Sequence, residues 1–339
     1  MMGMGIFLWI ISPCSVKVTW NFSHTSHGDA MDMKHGDLPG GNEETRNGAF
    51  AALAAFLMWG LLPVYWKQLG NVNALEIIAH RGLWSLVCVL PLVIATGRMP
   101  EVRSALRGRN LLLLILSSTL LAFNWLIFVW AIPRGHILET SLGNFINPLF
   151  NMLCGVIFFR DRLTRPQWAA LILVAAAVLF RAVSLGHFPW IALGLCTTFS
   201  FYGMVRKVVA VESVPGLMVE NIIFAPAALA ILLYLSGHGG LAFGKEAGVT
   251  TLLACAGFAT SIPIGLFAYA ARHLKLTTLG MFHYIVPSSS FILGVFVYRE
   301  PFDARHLVTF AVIWLALGIY TVDKLRRHRL PARTENSGE

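Results

Sequence analysis

The chain has 339 residues, 56 % of them hydrophobic and only 13 % charged, where a soluble domain carries roughly 25 % charged residues. A soluble fold of that composition would lack the polar surface to cover its core, so a membrane-embedded protein is expected. The formal net charge is +9, but the basic residues stand between apolar runs, where they read as topology signals rather than as a nucleic-acid surface.

Residues 1–48 open with an apolar run, 6–11, too short to span a bilayer and without a cleavage site behind it. Residues 28–47 are polar and acidic, so 1–48 reads as a disordered or over-extended tail. Ten apolar spans follow, near 49–68, 77–96, 111–131, 139–159, 167–184, 189–205, 217–236, 249–270, 277–297 and 306–322. Period-two alternation is absent, so helices rather than a barrel are expected. Basic residues crowd one set of connections, among them Arg98, Arg103, Arg107 and Arg109, then Arg160, Arg162 and Arg165, and finally the tail 323–339. The positive-inside rule places those connections and both termini in the cytoplasm.

The chain repeats itself. Residues 141–161 read SLGNFINPLFNMLCGVIFFRD and residues 280–300 read GMFHYIVPSSSFILGVFVYRE. A shift of 139 lays Pro148 on Pro287, Gly155 on Gly294 and Arg160-Asp161 on Arg299-Glu300. The same shift lays Arg81 on Glu220 and Phe128 on Phe267. Two five-helix halves, 49–184 and 189–322, are expected. An odd number of spans per half forces the second to enter from the opposite side, which is the inverted repeat of alternating-access carriers.

Polar residues within the spans are the site candidates. Arg81 either snorkels to the interface or faces a cavity, where it would bind an anionic group or pair with Glu220 or Glu139. Asn124, Asn144 and Asn147 are either interhelical ties or cavity lining. Trp59, Tyr65, Trp125, Tyr269, His283 and Tyr284 complete the substrate-binding candidates, the aromatics offering stacking faces or interface anchors. His80, His136, Glu139 and Glu220 are candidates for gating or proton coupling. Pro148 and Pro287 are candidate helix kinks, since each removes an intrahelical hydrogen bond. Cys88, Cys154, Cys196 and Cys255 lie in apolar runs without ligand spacing, so no metal, cofactor or disulfide is expected. No phosphate-binding loop, HExxH or GxSxG occurs, which argues against an enzyme and against ATP coupling within this chain.

Residues 60–67 (GLLPVYWK), 80–85 (HRGLWS), 144–149 (NFINPL), 189–207 (PWIALGLCTTFSFYGMVRK) and 279–302 (through YIVP to YREPF) together resemble the RarD family. That family is traditionally labelled chloramphenicol-sensitive permeases and belongs to the EamA branch of the drug/metabolite transporter superfamily. The resemblance covers about 48–325. It implies an all-α carrier of ten transmembrane helices in the bacterial inner (plasma) membrane. Asn144 and His283 depart from the family's usual tyrosine and glutamine. The expected function is secondary active export of small metabolites, with drugs such as chloramphenicol as incidental solutes. A channel and a non-transporting membrane scaffold are the alternatives. The expected partners are a small-molecule substrate, the lipid bilayer and protons, with a homodimer left open and no nucleic acid.

Overall fold

The computed structural model describes residues 41–159, 163–185, 188–274 and 282–329. Long apolar runs in lipid must pair their own amides and carbonyls, and the described residues do so as helices. They are α1 (Gly41–Gln68), α2 (Ala74–Ala95), the short α3 (Met99–Ala105), α4 (Gly108–Ala131), α5 (Ile137–Phe159) and α6 (Arg165–Leu185). After them come α7 (Trp190–Val208), α8 (Ser213–Gly237), α9 (Ala247–His273), α10 (Ile285–Ile292) with a π-helical turn (Leu293–Val297), and α11 (Ala304–Arg329). Eight of these, α1, α2, α4, α5, α6, α8, α9 and α11, are long and apolar enough to cross a membrane. Their outward faces carry Leu112, Ile172, Leu179, Val183 and Leu233, all exposed, as lipid-facing surfaces require.

Two boundaries differ from the expectation. Helix α1 starts at Gly41, so residues 41–48 of the expected tail are helical, while 1–40 lie outside the described residues. Of the span expected over 277–297, 277–281 lie outside the described residues, Phe282 is helical, His283 and Tyr284 form a turn, and α10 starts at Ile285. Pro287 therefore sits in the first turn of α10, where a missing N–H breaks no intrahelical bond, whereas Pro148 lies inside the continuous α5. Arg160, Asp161 and 330–339 are also outside the described residues.

Helix ends are set by local chemistry. The Leu75 N–H donates to Asn73 Oδ1 at 2.9 Å and starts α2. Thr164 and Gln167 cap α6 reciprocally, the Thr164 N–H donating to Gln167 Oε1 at 3.1 Å and the Gln167 N–H to Thr164 Oγ1 at 3.3 Å. At the start of α11, Asp303 Oδ1 accepts the His306 N–H at 2.9 Å, and His306 Nδ1 lies 2.7 Å from the same oxygen. Each cap also reaches the far end of the opposite helix. Thr164 Oγ1 and Gln167 Nε2 donate to Asp323 at 3.0 and 2.8 Å. His306 Nε2 meets Arg181 Nη2 at 2.5 Å. Helices α6 and α11 are thus an antiparallel pair tied at both ends.

The tightest packing joins α1 with α9, α2 with α8 and α9, α4 with α7, α5 with α7, and α6 with α11; α10 lodges against α1 and α5. One apolar core gathers Leu142, Leu149, Phe310 and Ile313, and a second gathers Trp66, Ile77, Ile132 and Leu253. A third, including Val89, Leu113, Leu114, Val205 and Val219, closes the end carrying α3.

Candidate functional site

Helices α2 and α8 cross where small residues allow it. A Cβ at Gly82 would stand 2.6 Å from Phe224 Cδ1, so only glycine admits that ring. One turn on, Asn221 Nδ2 donates to Ser85 Oγ at 3.3 Å, and Ser85 Oγ is 2.8 Å from Ser261 Oγ on α9. This crossing buries a charge on each helix, because Arg81 precedes Gly82 and Glu220 precedes Asn221 in the chain.

Glu220 is 2 % exposed. The Ser117 hydroxyl of α4 donates to its Oε1, and the Ser118 hydroxyl donates to its backbone carbonyl at 2.9 Å. Arg206 of α7 brings Nε to 3.8 Å from the same Oε1, and the Tyr202 hydroxyl, one turn earlier on α7, also lies against the carboxylate. Arg81 retains 6 % of its surface and lies over the Trp125 indole, with Cζ 4.6 Å from a ring centroid. No described residue hydrogen-bonds its guanidinium, and its Nε is fully buried. Trp125 in turn packs edge-on against Trp66 and Phe128. Arg81, Trp125, Ser117, Tyr202, Arg206 and Glu220 therefore form one buried polar cluster between α2, α4, α7 and α8.

Both ends of this seam carry charged ties. At one end the Glu76 carboxylate accepts the N–H groups of Ala242 and Phe243 at 2.9 and 2.8 Å, and His80 stacks on Phe243 with centroids 4.5 Å apart. Glu300 accepts the N–H groups of Ile137 and Leu138, both at 2.8 Å, at the buried start of α5. At the other end Glu212 pairs with Arg98, its carbonyl accepts from Arg206 Nη2 at 3.2 Å, and its N–H donates to Glu101 at 2.8 Å. An open cavity of about 820 Å³ lies beside the α1–α2 turn and is lined by Asn71, Asn73, Leu126, Trp130, Arg134 and Trp190.

The remaining candidates scatter. Asn124 Nδ2 donates to the Leu195 carbonyl and to Thr198 Oγ1, both at 2.9 Å, and so ties α4 to α7. Asn147 Oδ1 accepts from Ser200 of α7 at 2.8 Å. His283 is edge-on to Phe56 at 5.7 Å, and the Tyr284 hydroxyl is 3.5 Å from Thr321 Oγ1. Helices α5 and α10 pack against each other. What crosses there is the Ser141 hydroxyl, donating to the Pro287 carbonyl at 2.8 Å. Asn144 is half-buried on α5. Trp59 packs on Phe56 and Phe267, and the Tyr65 hydroxyl donates to the Leu252 carbonyl. Tyr269 is exposed and folds onto His273. His136 lies parallel to Trp130 at 6.1 Å. Glu139 is buried and interacts with Arg181 near the α6–α11 tie. Tyr202, Ser117 and Glu76 are absent from the sequence candidates because nothing in their local pattern marks them, and Glu300 was legible only as the end of the repeat. Arg206 had a signal, since the 139-residue shift lays it on Lys67.

A multi-pass helical protein with a charged cluster buried between its helices is a membrane transporter in form, and the EamA-like transporter family matches residues 46–182. Within the drug/metabolite transporter superfamily, the chain belongs to the RarD family. It is 42 % identical over 289 residues to the protein RarD of Salmonella typhi, covering 85 % of this chain and 98 % of that one. It is 39 % identical to the protein RarD of Escherichia coli (strain K12), over 85 % of this chain and 98 % of that one. A chloramphenicol-sensitive protein RarD of Pseudomonas aeruginosa is 32 % identical, over 84 % and 97 %. A solved crystal structure aligns with a TM-score of 0.55 at 14 % identity, covering 82 % of this chain and 98 % of that one, which shows the shared fold. The chain is a multi-pass bacterial membrane transporter.

Proposed function

We propose that the chain is a secondary active exporter of small metabolites, with drugs such as chloramphenicol as incidental solutes. It works by alternating access between two inverted five-helix halves. In this reading α7 and the α10–π-turn rod join the other eight helices as crossings, and both termini are cytoplasmic. The observation that carries it is an exchange symmetry of the packing. Pairing α1 with α7, α2 with α8, α4 with α9, α5 with α10 and α6 with α11 turns the α1–α9 contact into α4–α7 and the α1–α10 contact into α5–α7. The α2–α8 and α6–α11 contacts map onto themselves. The shift of 139 converts the Gly82–Phe224 contact into Asn221–Ser85, and the Thr164–Gln167 cap into Asp303–His306.

Two halves packed this way can exchange conformations and open the seam to either side in turn. The Glu76 and Glu300 ties would close one end, and the Arg98–Glu212–Arg206 ties the other. Glu220 and His80, buried on the seam, are the proposed proton carriers. Purified protein in liposomes should accumulate a labelled metabolite by counterflow against an unlabelled internal pool. Flux without counterflow would mark a channel, and the absence of uptake or exchange across a broad metabolite panel would leave a non-transporting scaffold.

A further inference from the structure

The buried cluster holds two guanidinium groups, Arg81 and Arg206, against one carboxylate, Glu220. The carboxylate is already engaged: Arg206 Nε is 3.8 Å away, and Ser117 donates to the same oxygen. Arg206 is further held by the carbonyls of Glu212 and Ser213. Gly216 leaves it room, since any Cβ there would collide with its guanidinium. Arg81 has no such arrangement. Its guanidinium presents five donors and lies over the face of Trp125, with Tyr202 and Glu220 facing it at longer range and no hydrogen-bond acceptor among the described residues. An unpaired cation in a membrane interior is costly and marks a functional position. A guanidinium is also the side chain best shaped to take an oxyanion through two parallel hydrogen bonds.

Resting on the transporter reading above, we propose that the exported solute is a small organic anion whose oxyanion group, of the carboxylate kind, docks on Arg81. Arg206 makes the cluster net positive, and the half-buried Trp125 and Phe128 receive an apolar or flat body. The same geometry disfavours an uncharged solute of equal shape, because an amide would leave the Arg81 charge unneutralised. Glu220 also faces Arg81 but stands beyond ion-pair distance of it, its Oε1 being held by Ser117 on the Arg206 side.

The test uses binding rather than flux, so that it can fail separately from the carrier reading. The full chain in lipid nanodiscs is titrated with phenylacetate and indole-3-acetate and with their neutral amides, following thermal stabilisation. Wild type should bind at least one acid about tenfold or more tightly than its amide. Arg81→Gln should lose that preference, and Arg81→Lys should keep most of it. Glu220→Gln, which raises the positive charge of the cluster, should bind the acid at least as well as wild type. The last two variants separate a lost docking group from a misfolded chain. Amides that bind as tightly as acids, no acid binding to wild type, or a preference surviving in Arg81→Gln would each overturn the proposal. Acid binding without counterflow would instead sink the carrier reading and leave the anion site standing.

Discussion

Arg299 shows how much a single backbone angle can carry. Its φ is +51°, in the left-handed region that L side chains avoid, and among the described non-glycine residues it is the only one there. That turn ends the helical rod after the π-helical residues and swings Glu300 back onto the α5 N–H groups. Glycine adopts this conformation without steric cost. Arg299→Gly should therefore stabilise the protein by roughly 0.5–1 kcal/mol, while a β-branched Arg299→Val should destabilise it by more. Thermal unfolding in detergent checks both signs. The Arg-Glu pair was legible as the end of a repeat, but its turn was not, because a left-handed residue other than glycine leaves no mark in sequence. Asp303 gives a second test at this scale. Hydrogen bonds from the His306 backbone and imidazole hold its carboxyl down at about 2, against 3.8 for a free aspartate. A depressed carboxylate stabilises the fold above its unfolded value and loses that contribution as pH falls through the folded one. The melting-temperature gap between wild type and Asp303→Ala should be constant above about pH 5 and should narrow on acidification towards pH 2.

Helices were the most legible elements, because a run of apolar residues long enough to cross lipid has few alternatives. Their pairing was not legible. Apolar faces look alike in sequence, and which side touches protein depends on where backbones approach. Gly143 on α5 marks such an approach: a Cβ there would sit 2.7 Å from the Ala192 carbonyl oxygen of α7. Gly265 on α9 has no atom of the described residues within 4 Å of the same hypothetical atom. One substitution should then have opposite signs at two mid-helix positions. Gly143→Ala must push two backbones apart and should destabilise by about 1–3 kcal/mol, while Gly265→Ala should stabilise by roughly 0.5–1 kcal/mol through lost unfolded-state freedom. Equal effects at the two sites in a thermal-shift comparison would contradict the α5–α7 packing. The same ambiguity explains Asn124 and Asn147. Both read as cavity lining or as interhelical ties, and both turn out bonded to α7.

At the scale of the whole molecule, the internal shift of 139 was the strongest signal in the chain, because paired prolines and glycines at fixed spacing survive where side-chain chemistry drifts. The polar cluster was only half legible from it. Arg81 and Glu220 coincide under the shift, but Tyr202 and Ser117 arrive from helices whose register the shift alone does not fix. The shift nevertheless makes a claim about the membrane that local packing does not. Asn71, in the exposed turn between α1 and α2, falls on Ala210, in the exposed turn between α7 and α8. Equivalent positions of a parallel repeat would emerge on one face, and those of an inverted repeat on opposite faces. The orientation proposed above would put the Ala210 turn in the cytoplasm and the Asn71 turn outside. In a background with the five cysteines replaced by alanine, Asn71→Cys should react with a membrane-impermeant maleimide on intact cells, and Ala210→Cys only after lysis. Labelling of both from outside, or of neither, would refute inversion, and the reversed pattern would keep inversion but turn the carrier over, making the Glu76–Glu300 end the cytoplasmic gate.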